Sequence, residues 1–144
     1  IQWGILILFG GGIAIASAFV NSGLSDIVGQ ELANVAQLPT VLIIALMCLS
    51  GTFLTEVTSN TATTTLLMPI LAATAIAAGI EPKLIMVPTT ISASFAFMLP
   101  VATPPNAIVF GSNQLTIKQM AREGLLLNLL GVVVVTWICW ILFG

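Results

Sequence analysis

Between Thr55 and Thr65 the chain reads Thr-Glu-Val-Thr-Ser-Asn-Thr-Ala-Thr-Thr-Thr, a dense polar stretch with apolar sequence on both sides. Val41 to Leu54 runs up to it, and Leu66 to Ala78 runs away from it. Each arm is about 15 residues, shorter than the roughly 20 that an α-helix needs to cross a bilayer. Two short apolar arms joined by a polar tip predict a re-entrant helical hairpin over 40–78, entering the membrane and turning back. Irregular backbone at that depth is stable only where it is buried in protein or lines a polar cavity. The tip is therefore a candidate binding site on physical grounds.

The rest of the chain has the composition of a membrane protein. It is 58% hydrophobic and carries three basic and five acidic residues, with a mean hydropathy of +1.17. Asp26, Glu31, Glu81, Lys83, Lys118, Arg122 and Glu123 fall between the apolar runs, and only Glu56 is expected deep in the membrane. A net charge of -2 implies no nucleic-acid partner, and the lack of histidine excludes imidazole catalysis and imidazole metal sites. Cys48 and Cys139 lie inside separate apolar runs, where buried free thiols are expected rather than a disulfide or a metal pair. The length suggests one domain. The chain opens on Ile1, already at membrane hydrophobicity and without a visible signal peptide, so it reads as a piece of a longer protein.

Taken in order, residues 1–22 predict a first spanning helix, with Gly10-Gly11-Gly12 in its middle. Interior glycines cost about 1 kcal/mol each relative to alanine in water. Close backbone packing in the membrane is the ordinary reason for them, and a flexible joint is the sharper one. Asn21-Ser22-Gly23 ends the helix, and Ser25 is expected to cap an amphipathic segment over 24–37. Leu24, Ile27, Val28, Leu32 and Val35 form its apolar stripe, opposite Asp26, Gln30, Glu31 and Asn34, as in a helix lying at the interface. Pro39 separates it from the hairpin, whose second arm ends near Gly79, before a turn at Glu81-Pro82-Lys83.

A broken helix is expected over 83–112. Its apolar run from Leu84 to Leu99 ends too early to span, and Pro100-Val101-Ala102-Thr103-Pro104-Pro105-Asn106 interrupts it. Proline removes a backbone donor and disfavours helix in the residue before it. Apolar character resumes as a half-helix over Ala107 to Phe110. After a polar stretch, 124–143 predicts the last spanning helix, with Trp137 and Trp140 as interfacial anchors. The positive-inside bias assigns Lys118 and Arg122 to the cytoplasm. The hairpin then opens to the outside, the amphipathic segment lies on the outer interface, and the C-terminus is outside.

The two interruptions, 55–61 and 100–106, carry the chemistry. Paired discontinuous elements mark the substrate site of a secondary transporter. A half-helix starting at Asn60-Thr61 aims free N–H groups and a positive dipole end at the cavity, which suits an anion. Unwound carbonyls, threonine hydroxyls and an asparagine carbonyl suit a hard cation such as Na⁺. They do so without the cost of a permanent charge in the membrane.

Two long motifs carry a resemblance. They are Thr55-Glu56-Val57-Thr58-Ser59-Asn60-Thr61-Ala62-Thr63 with Met68-Pro69-Ile70, and Phe95-Ala96-Phe97-Met98-Leu99-Pro100-Val101-Ala102-Thr103-Pro104-Pro105-Asn106-Ala107-Ile108-Val109-Phe110. Together they resemble the divalent anion:sodium symporter family of di- and tricarboxylate carriers, over essentially the whole chain. Such carriers contain two inverted repeats, each with a Ser-Asn-Thr hairpin, and this chain resembles the C-terminal one. The resemblance implies an all-α polytopic membrane protein of the inner or plasma membrane, one half of an elevator-type transporter working with an N-terminal repeat as a homodimer. It implies substrate contacts from Ser59, Asn60, Thr61, Thr103 and Pro104. It also implies a sodium site of Thr55, Thr58, Asn60 and the backbone of Ala102, with Na⁺ as coupling ion. Relatives commonly carry alanine where this chain has Thr58, which leaves a backbone contribution there intact. Thr61 favours carboxylates, because relatives that carry sulfate often replace it.

The expected function is sodium-coupled symport of a C4-dicarboxylate such as succinate by alternating access. The alternative is a sodium-independent exchanger of dicarboxylate, sulfate, tartrate or citrate. A non-transporting anion receptor is a third class, and no nucleophile–base pair or metal-ligand cluster supports an enzyme. The ordinary role of Thr63, Thr64 and Thr65 is to bond back to their own helix or to join neighbouring helices. Glu56 is expected to accept backbone hydrogen bonds that hold the loop, with proton sensing as its alternative role. Lys83, Lys118 and Arg122 are expected to act only as topology signals.

Overall fold

In a computed structural model of the chain, residues 3–35 and 38–143 are described, and all regular secondary structure among them is α-helical. The elements are α1 (Trp3–Asn21), α2 (Leu24–Val35), α3 (Thr40–Thr55), α4 (Asn60–Ala78), α5 (Lys83–Ser92), α6 (Pro104–Gly111) and α7 (Ile117–Phe143). Both α4 and α7 are long and apolar enough to cross a membrane, and α1 with α2 makes a third candidate if that bent pair is one span. The chain is thus a multi-pass membrane protein.

α5 lies at the centre, packed against α3, α4 and α7. On one side Ile44 and Cys48 of α3 meet Val132, Val135 and Cys139 of α7, with Leu84, Val87 and Phe95 against them. On the other, Ile43, Ala75 and Ile85 join α3, α4 and α5. Both thiols are free and buried in these layers. α1 and α2 pack on the opposite side of α4.

The hairpin turn is shorter than the polar stretch that announced it. α3 has 16 residues and α4 has 19, so Asn60 to Thr65 are helical and α4 reaches spanning length. The cause is that threonine can satisfy itself inside a helix: Thr64 Oγ1 donates back to the carbonyls of Asn60 (2.9 Å) and Thr61 (3.2 Å).

The first third differs from expectation in its joints. α1 runs unbroken through Gly10-Gly11-Gly12. Of the three, Gly12 is the one that packs closely, since a Cβ there would lie 2.9 Å from the Thr65 carbonyl oxygen of α4. α2 leaves α1 at 79° through Gly23, whose φ is 74°. Ser25 is therefore inside α2 rather than its cap, and it is buried together with Gly29. Small residues on α2 seat it, while Leu24, Ile27 and Val28 stay exposed. Ala36 and Gln37, at the expected end of this segment, lie outside the described residues, as do the side chains of Leu32, Asn34 and Val35.

In the second half, α5 stops at Ser92, well before the prolines, and the chain is non-helical from 93 to 103. Pro104 and Pro105 do not break a helix but begin one. Thr103 is the N-cap of α6, and the prolines fill its first positions, where a missing N–H and a fixed φ suit the geometry. α7 begins at Ile117, seven residues earlier than the apolar run, because Thr116 caps it: Thr116 Oγ1 accepts from Gln119 N at 3.3 Å, and Gln119 Oε1 accepts from Thr116 N at 2.9 Å.

The unwound chain lies directly on α7. A Cβ at Gly124 would sit 2.2 Å from the Phe97 carbonyl oxygen and 2.7 Å from Met98 Cα. Only glycine admits backbone that close. Gly124→Ala is therefore expected to destabilise the full-length protein by about 1–3 kcal/mol or more, the usual cost of overpacking, read as a fall in its thermal unfolding midpoint. An unchanged midpoint would contradict this packing.

Candidate functional site

The segment 93–103 abandons the helix without abandoning hydrogen bonds. Backbone polar groups that are buried must be paired, and here three side chains pair them. Glu56, just past the end of α3, accepts from Met98 N through Oε1 (2.9 Å) and from Leu99 N through Oε2 (3.0 Å). Asn128 of α7 donates its Nδ2 to Glu56 Oε1 at 2.6 Å and accepts from Phe97 N at 3.3 Å. Asn106 of α6 donates its Nδ2 to the carbonyls of Ala96 (2.7 Å) and Leu99 (3.0 Å). All three side chains are buried: Asn128 is 0% exposed, Glu56 3% and Asn106 8%. Glu56 thus holds the loop by accepting backbone hydrogen bonds.

This clamp brings the two interruptions to one place. Val57, Thr58, Ser59, Asn60 and Thr61 from the hairpin turn face Val101, Ala102, Thr103 and Pro104 across a cavity of about 480 Å³. Every predicted substrate contact borders it, namely Ser59, Asn60, Thr61, Thr103 and Pro104, as do Thr58 and Ala102 of the predicted cation set. Thr55 is fully buried beneath the turn and reaches the group through Asn60, whose Oδ1 accepts from Thr55 Oγ1.

Two helices start at this cavity. Ser59 caps α4, its Oγ accepting from Ala62 N at 3.4 Å. Thr103 caps α6, its Oγ1 accepting from Asn106 N at 3.4 Å. Both helices therefore turn a positive dipole end toward the same space. Their donors differ, however. The backbone of Asn60 and Thr61 offers N–H groups, while Pro104 and Pro105 have none, so α6 contributes polarity and a hydroxyl. Lys83, Lys118 and Arg122 are exposed on other parts of the chain, so the cavity is lined entirely by neutral groups.

The predicted cation ligands are oxygens of the kind a hard cation takes. Thr55 Oγ1 and Asn60 Oδ1 are held together by the hydrogen bond between them. The Thr58 hydroxyl is already engaged, donating to the Leu54 carbonyl at 2.7 Å and pairing with Thr63 Oγ1. Its backbone carbonyl is the atom left to contribute.

A second cavity, also about 480 Å³, lies on the other side of α4 and touches Ile13, Asn60, Thr61, Thr64, Met68 and Thr90. Two of its hydroxyls bond back within their own helices, Thr64 as above and Thr90 with the Met86 carbonyl at 2.8 Å. One helix start faces it rather than two. The space between the turn and the break is the better site.

Asn128 escaped the sequence reading, where it was one residue of a spanning helix. A lone amide amid leucines and valines was the available signal, because such a group needs a partner in the membrane. In the sequence Asn106 is visible only as part of a proline-rich interruption. Asn106→Leu is expected to leave the Ala96 and Leu99 carbonyls without their donor and to cost about 1–3 kcal/mol. Chemical denaturation of the full-length protein checks this, and wild-type stability would refute it.

Comparison with known proteins agrees with this architecture. The family described as "Sodium:sulfate symporter transmembrane region" matches residues 1–144. The chain is 45% identical over 142 residues to the sodium-dependent dicarboxylate transporter SdcS of Staphylococcus saprophyticus, covering 99% of this chain and 27% of that protein. It is 45% identical over 135 residues to the protein of the same name from Staphylococcus aureus strain USA300, covering 94% of this chain and 26% of the relative. The chain thus spans about a quarter of the length of the curated relatives it matches. On the strength of a match from its first residue to its last, the chain belongs to the divalent anion:sodium symporter family of membrane transporters.

Proposed function

We propose that this chain forms one half of the substrate pathway of a sodium-coupled carrier for a C4-dicarboxylate such as succinate. The observation that carries the proposal is the single cavity at which the hairpin turn and the 93–103 break converge, lined by two helix starts and by neutral oxygens. The name carried by its SdcS relatives, sodium-dependent dicarboxylate transporter, supports the same class of cargo and ion.

In this reading Ser59, Asn60, Thr61 and Thr103 hydrogen-bond one carboxylate, and Pro104 closes its apolar side. Thr55, Asn60 and the carbonyls of Thr58 and Ala102 hold Na⁺. Asn60 belongs to both sets, because its amide offers an oxygen to the cation and a nitrogen to the anion. Coupling follows from that sharing. A cation that orders the turn 56–59 presents the N–H groups of α4 to the anion, and the anion in turn offsets the cation's charge.

The second carboxylate is bound by the N-terminal repeat, with its own Ser-Asn-Thr hairpin. The hairpin, the broken helix and α7 move together past a scaffold that includes α1, in an elevator motion, with α2 linking the two parts. The scaffold pairs two copies as a homodimer.

In liposomes containing the full-length carrier, Asn60→Ala is expected to reduce sodium-driven succinate uptake at least about a hundredfold, as befits a group that serves both ligands. The protein should remain folded by size-exclusion and thermal unfolding. Uptake by Asn60→Ala at the wild-type rate would refute the site. Wild-type uptake undiminished when choline replaces Na⁺ would refute the coupling.

A further inference from the structure

Glu56 presents a problem that holding a loop does not by itself answer. It is an acid 3% exposed, and no basic side chain approaches it. Among the described residues the one ion pair is Arg122 with Glu123 at the surface. A carboxyl group away from water costs free energy unless donors reach it. The three donors that reach it explain why it is tolerated. Where it sits suggests what it is for.

On one side Glu56 follows Thr55, whose hydroxyl bonds Asn60 Oδ1. On the other its Oε2 holds Leu99 N, and the Leu99 carbonyl accepts from Ala102 N at 3.2 Å. The cation oxygens from the turn and from the break are therefore both tied to one carboxylate: Thr55 is its neighbour in the chain, and Ala102 is linked to it through Leu99 by two successive hydrogen bonds. The cation ligands themselves are neutral. In a low-dielectric interior a fixed negative charge beside the ligand set adds to the attraction for a cation.

We infer that Glu56, oriented by Asn128, is a positioning residue for the cation: it sets the spacing between Thr55 and Ala102 and supplies the fixed counter-charge that the neutral ligand set lacks. This rests on the sodium-coupled reading above. Glutamine cannot replace the carboxylate. Met98 N, Leu99 N and Asn128 Nδ2 all donate to Glu56, and an amide would turn its own donor toward at least one of them. Asn128→Ala removes one donor and leaves the charge in place, so its effect should be smaller and of the same kind.

The test is made on the full-length carrier in liposomes, with succinate uptake measured against Na⁺ concentration. Glu56→Gln is expected to raise the sodium half-saturation about tenfold, and Asn128→Ala about threefold, the scale of losing one charge-assisted hydrogen bond or part of one. At saturating Na⁺ the succinate half-saturation should remain within about twofold of wild type, because no anion contact is altered. A residue that merely maintained the fold would lower the amount of active carrier and leave the sodium half-saturation unchanged. That result in either variant overturns the inference. Loss of folded protein in both variants overturns it too, since the clamp would then be architectural. The underlying reading fails separately, in the wild type, if uptake there does not depend on Na⁺ at all.

Discussion

A buried carboxylate with three donors around it determines where the working parts of this chain lie. Glu56 ends one helix and captures the backbone of a distant segment, while Asn128 fixes both to α7. Each partner alone would be a liability at this depth. Unwound backbone in a membrane protein needs hydrogen-bond partners, and a buried carboxylate needs donors. Placed together they satisfy one another, and the chain can remain non-helical from 93 to 103 where lipid-facing sequence would have to be helical.

The prolines play a different part from the one their reputation suggests. The helix before them has ended at Ser92, and the two at 104 and 105 initiate α6 behind the Thr103 cap. What shapes the break is its seat on α7. Gly124 admits the backbone, Asn128 bonds it, and Gly131 lies 3.2 Å, measured from a would-be Cβ, from the Phe95 ring. These residues fall at i, i+4 and i+7, so they share one face of the helix. The seat matters for the cavity, because its two sides belong to segments far apart in the chain that Glu56 joins.

That cavity uses dipoles and neutral oxygens in place of side-chain charge. The choice suits the proposed function, in which a site that must both load and release an anion gains little from a permanent cationic partner. The family to which the chain belongs is one of transporters, and its SdcS relatives carry names that specify sodium and dicarboxylate. The chain spans about a quarter of the length of such a relative, and α1 and α7 carry exposed apolar side chains such as Ile7, Ile13, Leu126 and Val133.

Local chemistry by itself determined the class of protein, the apolar helices, the two places where the chain departs from them, and the residues that border the cavity. Those features depend on composition, hydropathy and motifs read within a short window. The start of α4 at Asn60, in a polar stretch whose hydroxyls bond back to their own helix, was legible too. Other helix ends were less so: Thr116 and Gln119 start α7 inside a stretch that reads as polar linker. What tertiary structure alone decided was the course of 93–103 and the importance of Asn128. Two of the three partners of that backbone lie tens of residues away, Glu56 at the end of α3 and Asn128 in α7, and no local preference encodes which distant acceptor will reach a given N–H. Only packing, through the closeness that Gly124 permits, brings them within a hydrogen bond.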